Sequence, residues 1–502
     1  MNKYLTASTL YDYTQCPHRV WRDRFGPQAE KSQESNPFIE LLWEKGVSHE
    51  KDVVSKLQLV DLSSTDKTDQ FNKTLEAMRN KVPLIYHGYL QYETYSGEPD
   101  LLRLEPDGTY IPIDIKSGSG FEGTNEDSDE NGKLKKHYAL QIAHYCELIA
   151  KLGFGSKHRG IILDSKNEEV LYDLDLPQGV KTPMTWWQLY EQTRYEVSRL
   201  ITNQTQNKPA YSSLCKLCPW YQSCKKWCLD TNDPTMIAYL GRSGRDTLVE
   251  DLDLKDAKDL CSIDVSELIN RKQKDKSFLP RIGEKQLIKF KFRVQINYEL
   301  KTPQFKPFPP FPKVNHELFF DIEDDPTQEF VYLHGVYERT PEGERFLDDF
   351  VAADNTREAE KEAWTKFVRY VQSLPKGDFC LYYYSKHERT TYREMQKMYP
   401  DVIDINELET WFVPPIGIDL YFDYIFKYTE WPLPSYSLKE IAHYLNFNWR
   451  DKTPSGALSI QWFNEYLEDK DPAKLKRILE YNEDDCKATM VIKDYLDSVK
   501  TE

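Results

Sequence analysis

The sequence predicts an α/β multidomain protein with two mixed domains on either side of a helical middle. Three observations carry this. Strand-like and helix-like apolar periods alternate through the first 230 residues and again after residue 316. Between them, residues 231–300 show short helical periods with glycine punctuation. Five prolines between Thr302 and Asn315 then mark a linker, at 301–315. A chain of 502 residues has room for two or three such domains, each with its own core.

In the first section the 37–58 stretch has helical apolar spacing and carries His49. The stretch from Gly97 to Gly118 reads as a hairpin: Leu101, Leu102 and Leu104, a turn at Asp107–Gly108, then Ile111, Ile113 and Ile115 in alternation. Asp114 and Lys116 lie two apart and share the face opposite the isoleucines, on a strand face expected to be polar. Asp100 opens the hairpin, where the turn can return it to Asp114. Two carboxylates and a lysine on one strand face can hold a divalent cation and position a water. An acidic, mobile loop is expected from Glu122 to Glu130. An amphipathic helix ending at Gly153, the strand RGIILDS and a long Trp/Tyr-bearing helix follow.

Cys215, Cys218, Cys224 and Cys228 fall in SLCKLCPWYQSCKKWC. The C-x-x-C pair brings two thiolates to one ion, and Cys224 follows within a few residues. The fourth ligand is either Cys228 nearby, giving a zinc knuckle, or Cys16 in YTQCPH, which would staple the two ends of the first domain. Nine cysteines without an export signal favour metal ligation over disulfides.

In the middle section Gly241 and Gly244 are expected in a turn, and Ile282–Gly283 precede a basic helix. Such turns offer backbone N–H groups to phosphate and loosely resemble helix–hairpin–helix motifs. From Arg271 to Lys306 there are eleven Lys or Arg against three acids, within a chain of net charge −16. Arg271, Lys272, Arg281, Lys285 and Lys289 are the candidate nucleic-acid contacts. The composition contains no apolar run long enough for a membrane span and no signal-peptide pattern, which places the protein in the cytoplasm with no membrane partner.

In the last section ELFFDIEDD puts Asp321 and Glu323 two apart on an apolar strand. Tyr481 and Asp485 lie one helical turn apart in LEYNEDDCKATMVIKDYL. Glu388 in YYYSKHERTTYREM, or alternatively Asp419 in GIDLYFDY, would complete a four-carboxylate set.

These residues carry two resemblances. The ordered set His49, Gly97-x-x-Asp100, Asp114-Ile115-Lys116 and Gln141-x-x-x-Tyr145 resembles the RecB-like branch of the PD-(D/E)XK nucleases. With Cys16 and C-x2-C-x5-C around it, the section resembles the iron–sulfur nucleases related to the CRISPR-adaptation exonuclease and AddB. This implies a restriction-endonuclease-like fold over 1–230 and Mg²⁺ or Mn²⁺ on His49, Asp100 and Asp114. It also implies catalytic roles for Lys116, Gln141 and Tyr145, and a 4Fe–4S cluster on Cys16, Cys215, Cys218 and Cys224, with zinc as the alternative. Residues 316–502 resemble the DnaQ-like (DEDD) exonucleases of the ribonuclease H-like class. That implies metal on Asp321, Glu323, Glu388 and Asp485, with Tyr481 positioning the attacking water. The expected activity is cleavage of single-stranded or frayed DNA, the alternatives being an RNA exonuclease working through the last domain and a non-catalytic adaptor. No helicase-type phosphate loop is present, so a motor would be a partner in repair or defence.

Overall fold

The computed structural model describes residues 4–33, 36–63, 66–122, 132–155, 157–179, 182–326, 328–452 and 456–499. Apart from Glu122, the expected acidic loop lies outside the described residues. The chain divides into two units, one of residues 1–209 and 213–226, the other of 210–212 and 227–502.

The first unit is built on a six-stranded sheet. Its strands are β1 (Val60–Asp61), β2 (Leu84–Tyr86), β3 (Leu101–Leu104), β4 (Tyr110–Ile115), β5 (Arg159–Leu163) and β6 (Glu169–Asp173), in that spatial order. β3 and β4 form the expected antiparallel hairpin, with Gly108 at φ +84° in the turn. An antiparallel pair needs only this short connection, whereas β4 and β5 are parallel and need a crossover. Helix Lys136–Lys151 supplies it. Ile111, Ile113 and Ile115 pack with Val53 of helix Pro37–Ser55 on one side. On the other side Ile162 and Val170 meet Leu140, Ile142 and Ala143 of the crossover helix.

The polar face expected on β4 is therefore not solvated. All six residues of the strand are buried, because it is central in the sheet with a helix over each side. Asp114 is only 2% exposed. A carboxylate placed there must be paired or neutralised.

The second unit holds a five-stranded sheet: β7 (His316–Asp325), β8 (Phe330–Thr340), β9 (Gly343–Leu347), β10 (Phe379–Tyr383) and β11 (Gly417–Asp419). Their spatial order is β9-β8-β7-β10-β11, with β7, β8 and β9 antiparallel and β10 and β11 parallel to β7. Alternation along β7 assigns the faces. Phe320 and Ile322 pack with Trp364, Phe367 and Tyr392 from helices Arg357–Ser373 and His387–Met398. Phe319 points the other way, into a cluster with Cys486, Ile492 and Leu496 of helix Pro472–Ser498. Asp321 and Glu323 continue that second face.

The helical middle has its own core, with Leu248, Leu260, Phe278, Leu287 and Phe290. It belongs to the same unit as the sheet, held in part by buried Arg293, whose guanidinium donates to Glu430 at 2.7 Å and to the Ala238 carbonyl at 2.7 Å. The expected turn at Gly241 and Gly244 is the first turn of helix Gly241–Leu252, while Gly283 does cap the basic helix Glu284–Gln295. The proline-rich stretch is extended but anchored. Gln304–Phe305 pairs with Thr429–Glu430, and Phe311 is buried, stacked on Tyr424 at 4.3 Å. Among the described residues, no helix is long and apolar enough to cross a membrane.

Candidate functional site

In the second unit, Asp321, Glu323 and Asp485 each offer an oxygen within 4.8 Å of the others, the one such acidic group among the described residues. The strand period brings the first two to one face, and helix Pro472–Ser498 lays Asp485 across them. Gly335 of β8, directly opposite Asp321, allows this close approach. A Cβ there would fall on the side chain of Asn482. In that space the Asn482 amide donates to Asp321 at 3.0 Å and to Glu323 at 3.3 Å. Trp449 Nε1 donates to Asp485 at 2.9 Å.

Burial and mutual repulsion dominate the electrostatics. The Asp321 carboxyl is held well above the usual range by burial and by the charges of Asp485, Glu323 and Glu388. Burial, with Asp485 next, pushes Glu323 up to about 8. Asp485 is raised to about 6, again chiefly by burial. A hard divalent cation would relieve this repulsion and suits carboxylate oxygen.

Glu388 stands in the first turn of helix His387–Met398, 2% exposed, with no hydrogen-bond partner for Oε2 among the described residues. Burial raises its carboxyl to about 8. Its charge reaches Asp321, but Glu388 stands outside the close group of three carboxylates. The sequence alternative, Asp419, is engaged differently: it accepts from the backbone N–H of Phe422 at 2.9 Å and of Ser385 at 3.1 Å. Tyr481 lies one turn before Asp485, and its hydroxyl accepts from Lys439 Nζ at 3.1 Å.

The first unit presents a cleft of about 1180 Å³ lined by Glu50, Asp100, Lys116, Gln141, Arg19 and Cys218, among others. Asp100 Oδ2 accepts from the Ile115 N–H at 2.6 Å, closing the predicted return to the second hairpin strand. Burial and the Asp114 charge raise Asp100 to about 8. Lys116 Nζ sits 2.8 Å from Asp114 Oδ2. Burial opposes the lysine's charge, but Asp114 and Asp100 outweigh it and hold its pKa above the usual lysine value.

Gln141 lines the cleft, whereas Tyr145 is buried against Gly97, which has no Cβ to obstruct the ring. His49 Nε2 is buried without a hydrogen-bond partner among the described residues, and His49 does not gather with Asp100 and Asp114 as closely as the second unit's triad. The adjacent Glu50 faces the cleft instead. It is braced by Tyr86 OH at 2.8 Å and His87 at 3.0 Å, and His87 reaches Glu98 at 3.1 Å. Hydrogen bonds to Glu50 and Glu98 raise His87 to about 10. Sequence reading missed Glu50, His87 and Glu98. The one available signal was the polar position next to His49.

Cys16 immediately precedes helix Pro17–Phe25, Cys215 and Cys218 flank a short turn, and Cys224 is on helix Tyr221–Asp230. Trp220 ties the two segments together: its Nε1 donates to Asp23 at 2.9 Å, and Arg22 lies 4.4 Å over its ring. Burial raises the Cys224 thiol to about 12; Arg22 opposes this, while Cys218, Cys16 and Cys215 add to it. Those are the four cysteines of the Cys16 alternative. Cys228 is fully buried one turn further along the helix. None of the nine cysteines is in a disulfide.

Of the basic residues, Lys272 donates to the Leu279 and Ile282 carbonyls at 2.5 and 2.6 Å and so closes the loop before the basic helix. Arg271 covers Phe278 at 3.9 Å. Lys289 is 3.3 Å from Glu430, while Arg281 and Lys285 are exposed.

Residues 318–497 match the family model described as the RNase_H superfamily. No curated protein matches the chain. Over residues 318–497 the second unit is thus RNase H-like, which suggests nucleic-acid processing, with an acidic triad at its sheet.

Proposed function

We propose that the protein is a divalent-metal-dependent nuclease with two hydrolytic centres, acting on single-stranded or frayed DNA. The observation that carries the metal-dependent nuclease part of this is the Asp321–Glu323–Asp485 group within the RNase H-like region, with the charge of Glu388 reaching Asp321. Those four carboxylates would hold Mg²⁺ or Mn²⁺, which supplies charge neutralisation at the scissile phosphate and activation of water. Asn482 holds Asp321 and Glu323 in register, and Trp449 fixes the Asp485 rotamer. Tyr481, steadied by Lys439, orients the attacking water, and the buried surroundings keep competing water out.

In the first unit Asp100 and Asp114, with His49 in the RecB-like assignment, would hold a second cation. Lys116, already charged beside Asp114, steadies negative charge developing on the phosphate. Gln141 contacts the strand in the cleft. Cys16, Cys215, Cys218 and Cys224 would hold a 4Fe–4S cluster that clamps the ends of this unit. Thiolate donors from two segments already joined by Trp220 support that reading. Exposed Arg281 and Lys285 would add phosphate contacts.

The family match on the second unit alone favours one alternative, a nuclease whose activity, on DNA or RNA, resides wholly in that domain. Purified protein with Mn²⁺ and end-labelled single-stranded DNA, duplex DNA and RNA separates these readings. Asp321→Ala and Asp114→Ala should each remove one activity; undiminished DNA cleavage by Asp114→Ala would assign catalysis to the second unit.

A further inference from the structure

We infer that a partly exposed strip of aromatic rings and lysines on the second unit is the docking surface for a single-stranded nucleic-acid segment leading to the Asp321 centre. The inference rests on the nuclease reading of that centre and deepens it. The strip consists of Tyr239 and Phe426, which are 46% and 44% exposed, and of Tyr421 and Phe422, which are half-buried between them and the core.

The rings form one connected patch. Tyr421 lies 4.8 Å from Phe422 and 6.2 Å from Phe426, and Tyr239 lies 5.8 Å from Phe426. The Tyr239 and Tyr421 hydroxyls are 2.7 Å apart. Tyr239 is held at φ +63°, a left-handed conformation that a tyrosine rarely adopts, so its outward position is imposed by the fold.

Two lysines border the rings. Exposed Lys386 stands 4.8 Å over Phe422, and Lys289 stands 5.1 Å over Phe426. The charge of Lys289 is only partly offset, while Asp419 is bonded to the backbone of Ser385, next to Lys386. Lys289 and Arg293 share the single carboxylate of Glu430, which leaves one net positive charge. Lys427 is paired with Asp423 at 3.0 Å and adds none.

The strip adjoins the turn that precedes Glu388. Asp419 accepts from the N–H groups of both Ser385 and Phe422 and so ties the ring-bearing segment to the turn that launches Glu388. Lys386 is two residues before Glu388. Rings bordered by cations have the chemistry of a single strand: π-faces for bases and ammonium groups for phosphates. A duplex, with its bases stacked inside, could not use the rings. A base stacking on Phe422 would move the Lys386 ammonium onto the adjoining phosphate.

The test uses full-length protein, in wild-type and Asp321→Asn backgrounds, and a fluorescent single-stranded oligonucleotide. Phe422→Ala and Phe426→Ala should each weaken binding by roughly fivefold or more, the scale of one lost base stack. One abasic nucleotide at the stacked position should weaken wild-type binding comparably and add nothing in the matching Ala variant. Phe426→Tyr, which keeps the ring, should retain affinity. An unchanged cooperative thermal unfolding transition shows that the variants are folded. Photocrosslinking with 5-iodouracil should map to residues 239 and 421–426. Unchanged affinity with crosslinks mapped only elsewhere would overturn the docking surface, even if the protein cleaves. Ring-dependent binding and crosslinks in a protein that cleaves nothing with Mn²⁺ would uphold the surface and remove the nuclease reading.

Discussion

Replacing Asp485 by asparagine should make the metal-free protein more stable and the enzyme inactive. In the fold the Asp485 carboxyl is raised from 3.8 to about 6, first by burial, so at pH 8 it is ionised at a cost. A shift of about two units corresponds to about 3 kcal/mol. Asparagine is neutral, keeps an oxygen for Trp449 Nε1 and can donate toward Asp321 or Glu323, so it should recover much of that cost. The sign follows from linkage. The native carboxyl binds its proton more tightly than the unfolded one, so metal-free wild type loses stability as pH rises from about 4 through 6. The advantage of Asp485→Asn should therefore grow across that window and level off above it. Thermal unfolding in EDTA at pH 8 should show a rise of about 5 °C or more. Added Mg²⁺ should stabilise wild type and much less the variant, and cleavage should fall by at least about 100-fold, the scale for losing one charge-stabilising group. A metal-free Asp485→Asn protein less stable than wild type, or one that cleaves normally, would refute the reasoning.

Other substitutions probe different parts of the account. Gly335→Ala pushes a methyl group into the Asn482 amide, so kcat should fall well beyond any change in affinity for the oligonucleotide, as steady-state kinetics would show. His87 is raised to about 10 by Glu50 and Glu98, so its contribution is fully present below about pH 6.5 and fades as pH approaches 10. Glu98→Gln should flatten that alkaline loss in a pH series of urea melts. Anaerobic wild-type protein should absorb near 400 nm, Cys224→Ala should lose that absorbance and Cys228→Ala should keep it. A colourless preparation containing zinc would replace the cluster with a zinc site.

Much of the acidic group in the second unit was legible because its residues lie on regular elements. Period-two spacing placed Asp321 with Glu323, and a four-residue step placed Tyr481 before Asp485. Local signals also gave the 97–118 hairpin and its turn. What stayed hidden depends on tertiary register. Nothing local says that Asn482 will meet Asp321, 161 residues away, over a glycine that β-pairing sets opposite. Burial of both faces of the strand Tyr110–Ile115 stayed hidden because alternation cannot tell an edge strand from one with helices on both sides. Prolines at 303–312 read as a linker, yet the phenylalanines between them anchor the stretch, with Phe311 in the core. His49 drew notice as a metal-ligand type, while Glu50 is the neighbour that lines the cleft, since helix phase decides which of the two faces inward.

The most direct measurement is Mn²⁺-dependent cleavage of an end-labelled single strand by wild type, Asp321→Ala, Asp114→Ala and the double variant. The account predicts cleavage by wild type, partial loss in each single variant and none in the double. Full activity in the double variant, or no cleavage by metal-loaded wild type on DNA or RNA, would contradict it.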